Sequence, residues 1–260
     1  MEKTTLSILM PVYNGEKFLN EAINSILNQT LKDFNFVIVN DASKDNSLKL
    51  IKEYTDKRIK LIKNKRNLGF IGSLNEGLKH IKTKYIACMN QDDISHPKRL
   101  EKEFNFLEKH PKIFLVGTSA IYINENGKEI CKFRKYNCPK MLAWRLRKSN
   151  GIIYPSIMFR NKDISFDRLH EYGFYYRLLK RGENLTNLPE FLVKYRVHSK
   201  AISSYDKENQ SYLMQEVVEK FKDIRYNLGL LRKIYFSIKL IFHHLKTMKE
   251  KKVSIFGKKK

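Results

Sequence analysis

Cysteine, proline and acidic side chains are all scarce in this chain of 260 residues. The three cysteines, Cys88, Cys131 and Cys138, are odd in number and fall at no zinc-type spacing, which argues against a disulfide framework and a cysteine-built metal site. No charged-then-apolar leader precedes "LSILMPVYNG", so the sequence predicts no secretion signal and a reducing cytoplasm. Uncharged apolar runs never reach the roughly 20 residues that span a bilayer. The best candidate, near the C-terminus, is interrupted by Arg232, Lys233 and Lys239. Only 27 Asp and Glu stand against 51 Lys and Arg, a net charge of +24. That shortage of acid fits an anionic partner, whether nucleic acid, a phosphorylated substrate or an acidic membrane face, and it equally fits an ordinary lysine-rich surface. No repeat or low-complexity linker divides the chain.

What is present is a hydrophobic complement of 42%, enough to bury a core for one large domain with an appendage. Apolar, strand-like runs recur at 6–13, 34–40, 58–63 and 85–90. Between them "EKFLNEAINSILNQ", "NSLKLIKEY" and "GSLNEGLKHI" carry apolar positions three or four apart, the period of an amphipathic helix. The alternation predicts an α/β fold of βαβ units, a Rossmann-like, mostly parallel sheet flanked by helices. Further on, a helix opens near Pro97, strands flank the turn "NENG", and another helix is predicted over about 166–182. Residues 206–260 read as a basic, amphipathic helical C-terminal extension to a domain over 1–205.

Ligands of such sheets bind outside the carboxyl ends of the strands. Here those ends are "PVYNG", "NDASKDN", "KNKRNLG" and "NQDD", each explicable as a turn but together marking one polar edge. Asp92 and Asp93, with the Asn90 and Gln91 oxygens, are hard donors suited to a divalent cation that bridges a carboxylate to phosphates. A simple turn with Ser95 capping the next helix accounts for the same pair. Asp41 can accept a hydrogen bond from a base edge or a ribose hydroxyl, while Asp45 fits a cap of the following helix. Tyr13 offers its ring to a base or to the core, and Lys65 and Arg66 meet phosphate or solvent. No RNA-binding aromatic motif or DNA-reading module is present, so nucleic acid is not expected as a partner despite the charge.

Six segments taken together, "SILMPVYNGEKFLNEAINSILNQT", "FVIVNDASKDNS", "NLGFIGSLNEGL", "YIACMNQDDISHPKRLEKEFNFLEKHP", "VGTSAIYI" and "NLPEFLVKYRVHSKAIS", resemble the nucleotide-sugar-dependent glycosyltransferases of family 2, with the GT-A fold. The resemblance covers roughly residues 5–204 and implies a donor nucleotide site at Pro11, Tyr13, Asn14, Asp41, Arg66, Asn67, Gly69, Asn90 and Asp92, with Tyr13 and Asp41 on the base. It also implies Mg2+ or Mn2+ on Asp92, Asp93 and His198. Asn90 stands where the family usually has the first acid of a DxD motif, and its amide brings no charge to a cation. Arg196 is implied as a charge screen near the diphosphate, and "IIYPSIMFR" as acceptor-side wall. Trp144 suits either sugar stacking or the core.

Inverting transfer needs a carboxylate base within hydrogen-bond reach of the acceptor hydroxyl. The resemblance puts it at Glu171, with His170 in place of an acidic companion and Gly173 where another acid is frequent; Asp167 and Asp163 are alternatives. The implied activity is transfer of a hexosyl or N-acetylhexosaminyl group from a nucleotide-diphosphate sugar, UDP-linked, to a glycan or lipid-linked acceptor in bacterial surface polysaccharide synthesis, of the capsule or lipopolysaccharide kind. The departures at Asn90, Glu171 and Gly173 leave an alternative, a noncatalytic relative that binds nucleotide sugar or partner enzymes. In the extension, Leu231, Ile234, Ile238, Ile241 and Leu245 form one apolar stripe among Lys and Arg, as in a helix lying on an anionic membrane. Each cation near such a surface adds about 1 kcal/mol. The expectation is a cytoplasmic protein peripheral to the inner face of the cell membrane, with packing on its own domain or a partner subunit as the rival role for that helix.

Overall fold

The computed structural model describes residues 4–146, 151–162, 164–167 and 170–199. Asp163 and the predicted extension over 206–260 lie outside the described residues.

The apolar runs become strands because they are covered on both faces. β1 (Leu6–Val12) is buried along its whole length and β2 (Asn35–Asn40) is buried except at Asn35. β3 (Ile59–Lys63) and β4 (Tyr85–Cys88) complete a parallel set in the order β3-β2-β1-β4. The connecting helices are α1 (Leu19–Leu27), α2 (Ser47–Glu53) and α3 (Gly69–Leu78). α1 buries Leu19, Ala22, Ile23 and Ile26, one helical face, against this sheet. Asp45 accepts the N–H of Ser47 at 2.9 Å, so it serves the start of α2 as expected.

The second half completes the sheet with mixed directions. A two-residue strand, β5 (Ile94–Ser95), leads to α4 (Arg99–Lys109), then β6 (Ile113–Ile123) and β7 (Glu129–Phe133) form a hairpin. α5 (Pro139–Leu146), a 3-10 turn (Tyr154–Ser156) and β8 (Met158–Arg160) follow, then α6 (His170–Lys180) and β9 (Asn184–Arg196). The full order is β3-β2-β1-β4-β8-β6-β9-β5, with β7 on β6. β6 and β9 pair parallel, whereas β8 runs antiparallel to both β4 and β6. The sheet is therefore parallel in its first half and mixed beyond β4, which qualifies the mostly parallel expectation. α6 starts later than residue 166 because the Phe166 N–H and C=O are both taken by the Asn75 amide, at 2.8 and 2.9 Å. Among the described residues no helix is long and apolar enough to cross a membrane.

One proline opens the site. Pro11 lies in the centre of the sheet, paired with Val39, yet the β1–β4 register ends at Leu9 and Cys88. The Leu9 carbonyl faces the β4 side, where it accepts the Met89 N–H at 3.1 Å, so residue 11, two further on, faces the same side. A proline there wastes no donor because β4 has already turned away. Beyond that rung β1 and β4 diverge, leaving a crevice at the carboxyl ends of the parallel strands.

Candidate active site

Tyr13 sits above this crevice with its side chain exposed. Its N–H donates to Gln91 Oε1 at 2.8 Å and its carbonyl accepts from Gln91 Nε2 at 3.1 Å, so one amide side chain replaces the missing strand rung. A Cβ on Gly15 would stand 2.6 Å from that amide, which explains a glycine there. Asn14, at a positive φ of 50°, accepts the Lys44 N–H at 2.8 Å, and its own N–H goes to Ser43 Oγ at 3.1 Å. It stitches the loop after β1 to the loop after β2.

Asp41, at the end of β2, is buried. Its Oδ1 accepts Asn64 Nδ2 at 2.7 Å and the Leu68 N–H at 2.8 Å, which fastens the 64–69 loop to the end of β2. No bond to Oδ2 is found among the described residues. Asn67 accepts the Gly69 N–H at 2.9 Å, and Gly69, at φ 73°, turns the chain into α3. Arg66 is exposed on this loop. Sequence reading missed Asn64, whose amide also reaches Ser73 Oγ at 3.1 Å.

The two adjacent acids have different environments. Asp93 is 1% exposed; its Oδ1 accepts the Arg196 N–H at 2.8 Å and its Oδ2 accepts Asn90 Nδ2 at 3.0 Å. Burial, and then the Asp92 carboxylate beside it, push the Asp93 carboxyl well above the usual carboxylate range. Each of its oxygens thus takes one bond from the surrounding structure, and Asp93 fastens the loop. Asp92 Oδ2 instead meets His198 Nε2 at 2.9 Å, and the His198 ring packs on Phe18 with centroids 5.0 Å apart. Asn90 Oδ1 is buried with no hydrogen-bond partner among the described residues. Among those residues, no three His, Cys, Asp or Glu side chains are arranged to hold a metal ion by themselves.

Arg196 is the hub behind these acids. Only 2% exposed, it donates from Nε to the Asp92 carbonyl at 2.9 Å and from Nη1 to the Glu125 carbonyl at 2.8 Å. Its Nη2 is paired with Glu21, and its guanidinium lies 4.6 Å from the Phe18 ring centre. It thereby ties the end of β9 to the carboxylate loop, the β6–β7 turn and α1.

The opposite wall carries the candidate bases. Glu171 lies in the first turn of α6, partly exposed. Burial, and then neighbouring negative charge that includes Glu171, keep the Tyr154 and Tyr175 hydroxyls from ionising. Gly173 is buried in the same helix. Asp167 is paired with Arg177. Trp144 is half-buried on α5.

The model of the family described as "Glycosyl transferase family 2" matches residues 7–165. An uncharacterized glycosyltransferase of Methanocaldococcus jannaschii is 38% identical over 210 residues, covering 76% of this chain and 72% of its own. The O-antigen biosynthesis glycosyltransferase WbnJ of Escherichia coli is 33% identical over 236 residues, covering 83% and 89%. Among solved structures, S. aureus TarS 1–349 in complex with UDP-GlcNAc has a TM-score of 0.70 at 17% identity, covering 86% of this chain and 68% of that one. At that identity the likeness is one of fold, and the fold is GT-A.

Proposed function

The chain belongs to glycosyl transferase family 2, and from that premise we propose that it moves a hexosyl or N-acetylhexosaminyl group, with inversion, from a UDP-linked sugar to a glycan or lipid-linked acceptor of a surface polysaccharide. The observation that carries this reading is the crevice beyond Pro11, where Tyr13, Asp41 and the Asp92–His198 pair come from separate strand ends to one rim. TarS was solved in complex with UDP-GlcNAc, and WbnJ is named for O-antigen biosynthesis, which favours the UDP donor and the polysaccharide setting.

In this reading the Tyr13 ring stacks on the base and Asp41 Oδ2 accepts from it. The 64–69 loop, fastened by Asp41 Oδ1, brings the exposed Arg66 toward phosphate. A divalent cation fits the donor set at Asp92 and His198, an oxygen and a nitrogen already in contact, and the Asn90 carbonyl oxygen on the same loop has no partner among the described residues. Mg2+ or Mn2+ there would neutralise charge on the leaving diphosphate. Asp93 keeps the loop in place.

Glu171 is the better base. It lies in the first turn of α6, the helix whose later residues carry the family resemblance, and Asp167, which pairs with Arg177, is the alternative. It takes the proton of the acceptor hydroxyl as that oxygen bonds to the anomeric carbon and the bond from that carbon to the diphosphate breaks. The test is a screen of nucleotide sugars with and without Mn2+, read first by melting temperature and then by release of nucleoside diphosphate. A UDP-sugar that raises the melting temperature and is turned over supports the assignment; binding that survives Asp92→Ala unchanged overturns the cation and diphosphate site.

A further inference from the structure

Behind the carboxylate loop lies a fully buried ion pair that the reaction itself does not use. Arg99, the first residue of α4, and Glu103, one turn later, are both 0% exposed, with Arg99 Nε donating to Glu103 Oε1 at 3.0 Å. Arg99 Nη2 donates to the Cys88 carbonyl at 2.8 Å and to the Ile157 carbonyl at 3.3 Å, and Nη1 lies 3.5 Å from Met89 Sδ.

Those two carbonyls mark the place where the sheet forks. The last register pair between β4 and β8 is Ala87 with Met158, and the Cys88 N–H still reaches the Ile157 carbonyl at 2.9 Å. Past that point one chain runs to Asn90–Asp93. The other comes from the 3-10 turn, where Tyr154 packs edge-on against Phe70 and Phe166, at 5.2 and 6.3 Å between centroids. A single guanidinium therefore sits at the fork between the donor-side loop and the acceptor-side wall.

Stability alone is a poor explanation for it. Two charges removed from water are often no better than apolar side chains of the same volume. Here Glu103 Oε2 has no hydrogen-bond partner among the described residues, and burial pushes the Glu103 carboxyl up to about 7 even with Arg99 alongside. What the pair does supply is geometry: Arg99 Nη2 bonds both carbonyls while Nε of the same rigid plane is held by Glu103, a fixed spread that the flexible, single-point ammonium of a lysine does not reproduce and an apolar residue lacks.

We propose that Arg99, seated by Glu103, is a positioning residue that fixes the separation between the Asn90–Asp93 loop and the Tyr154–Ile157 wall, and with it the alignment of acceptor and donor. The proposal rests on the glycosyl-transfer reading above. Arg99 touches no substrate and acts through the two backbone segments it joins.

Two full-length variants test it: Arg99→Lys, which keeps the charge and loses the fork, and Arg99→Met combined with Glu103→Met, which removes both charges together. Hydrogen exchange is the readout independent of any reaction. Amides of both 89–93 and 154–157 should lose protection in each variant, while those of β1 and β2 do not; loss confined to one segment, or to neither, overturns the clamp. In transfer assays, UDP affinity should stay within about threefold while kcat falls by at least about tenfold and donor hydrolysis gains on transfer. A folded variant with the wild-type kcat refutes the role. A wild-type protein that turns over no nucleotide sugar, while its variants show the exchange pattern, would instead strike the functional reading.

Discussion

The backbone N–H of Arg196 donates to Asp93 Oδ1 at 2.8 Å, so the end of β9 is fastened to the carboxylate loop by one of the acids that the motif suggests for a cation. The neighbouring Asp92 faces His198 instead. Two adjacent carboxylates thus divide between holding the loop and pairing with His198, the pair proposed above for the cation.

That division separates two substitutions. Asp93→Ala removes the acceptors of both the Arg196 N–H and the Asn90 amide, leaves buried donors unpaired, and should cost about 1–3 kcal/mol. The melting temperature falls by several degrees. Asp92→Asn should melt near wild type and lose the additional stabilisation given by UDP with Mn2+. Melting curves with and without those ligands check both outcomes.

Glu103 predicts a pH dependence of stability. Its carboxyl ionises at about 7 in the fold against an ordinary value of 4.5, so between those values the folded protein holds a proton that the unfolded chain has released. Stability from this group is therefore greatest below 4.5, falls as pH rises to 7 and is flat above, by a few kcal/mol in all. Glu103→Gln has no such proton. Its stability relative to wild type should improve steadily from pH 4.5 to 7, as measured by denaturant unfolding across that range; a constant difference would refute the assignment.

Gln91 serves as a strand rung for Tyr13, so Gln91→Ala should leave the Tyr13 backbone without either bond. The donor KM should rise about tenfold with kcat little changed, the mark of lost uniform binding. Gly15→Ala drives a Cβ to within 2.6 Å of the same amide and should reproduce the effect. The double variant should be no worse than either single one, since both remove one contact. Additive losses would show two separate roles.

The candidate bases are distinguished by their neighbours. Glu171→Gln should lower transfer by about 100-fold or more and leave UDP affinity intact. Asp167→Asn frees Arg177 and should retain transfer with a modestly lower melting temperature. Reversal of the two phenotypes would move the base to Asp167.

Much of the first half was legible because strands covered on both faces, such as β1 and β2, read as unbroken apolar runs, and the helices between them repeat at three and four. β5 and β8, with two and three residues, are too short to show a period, and their directions are set by distant partners. The site followed the same rule. Tyr13, Asp41 and Asp92 stood out as candidates because each follows a recognisable strand. The engagement of Asp93 by a residue 103 positions away, the Gln91 rung and the Arg99 fork depend on pairings across the fold that no local pattern encodes. The several partners that Arg196 holds were equally hidden, because a side chain's direction is not written in its sequence spacing.

Pro11 has a consequence for how the enzyme waits between turnovers. Lacking an amide hydrogen on the side that β4 abandons, β1 cannot be zipped closed there by a sliding strand or an intruding peptide. What spans the edge just beyond is the Gln91 side chain on Tyr13, and a rotating amide is a latch that thermal motion can lift where a strand rung would have to be peeled.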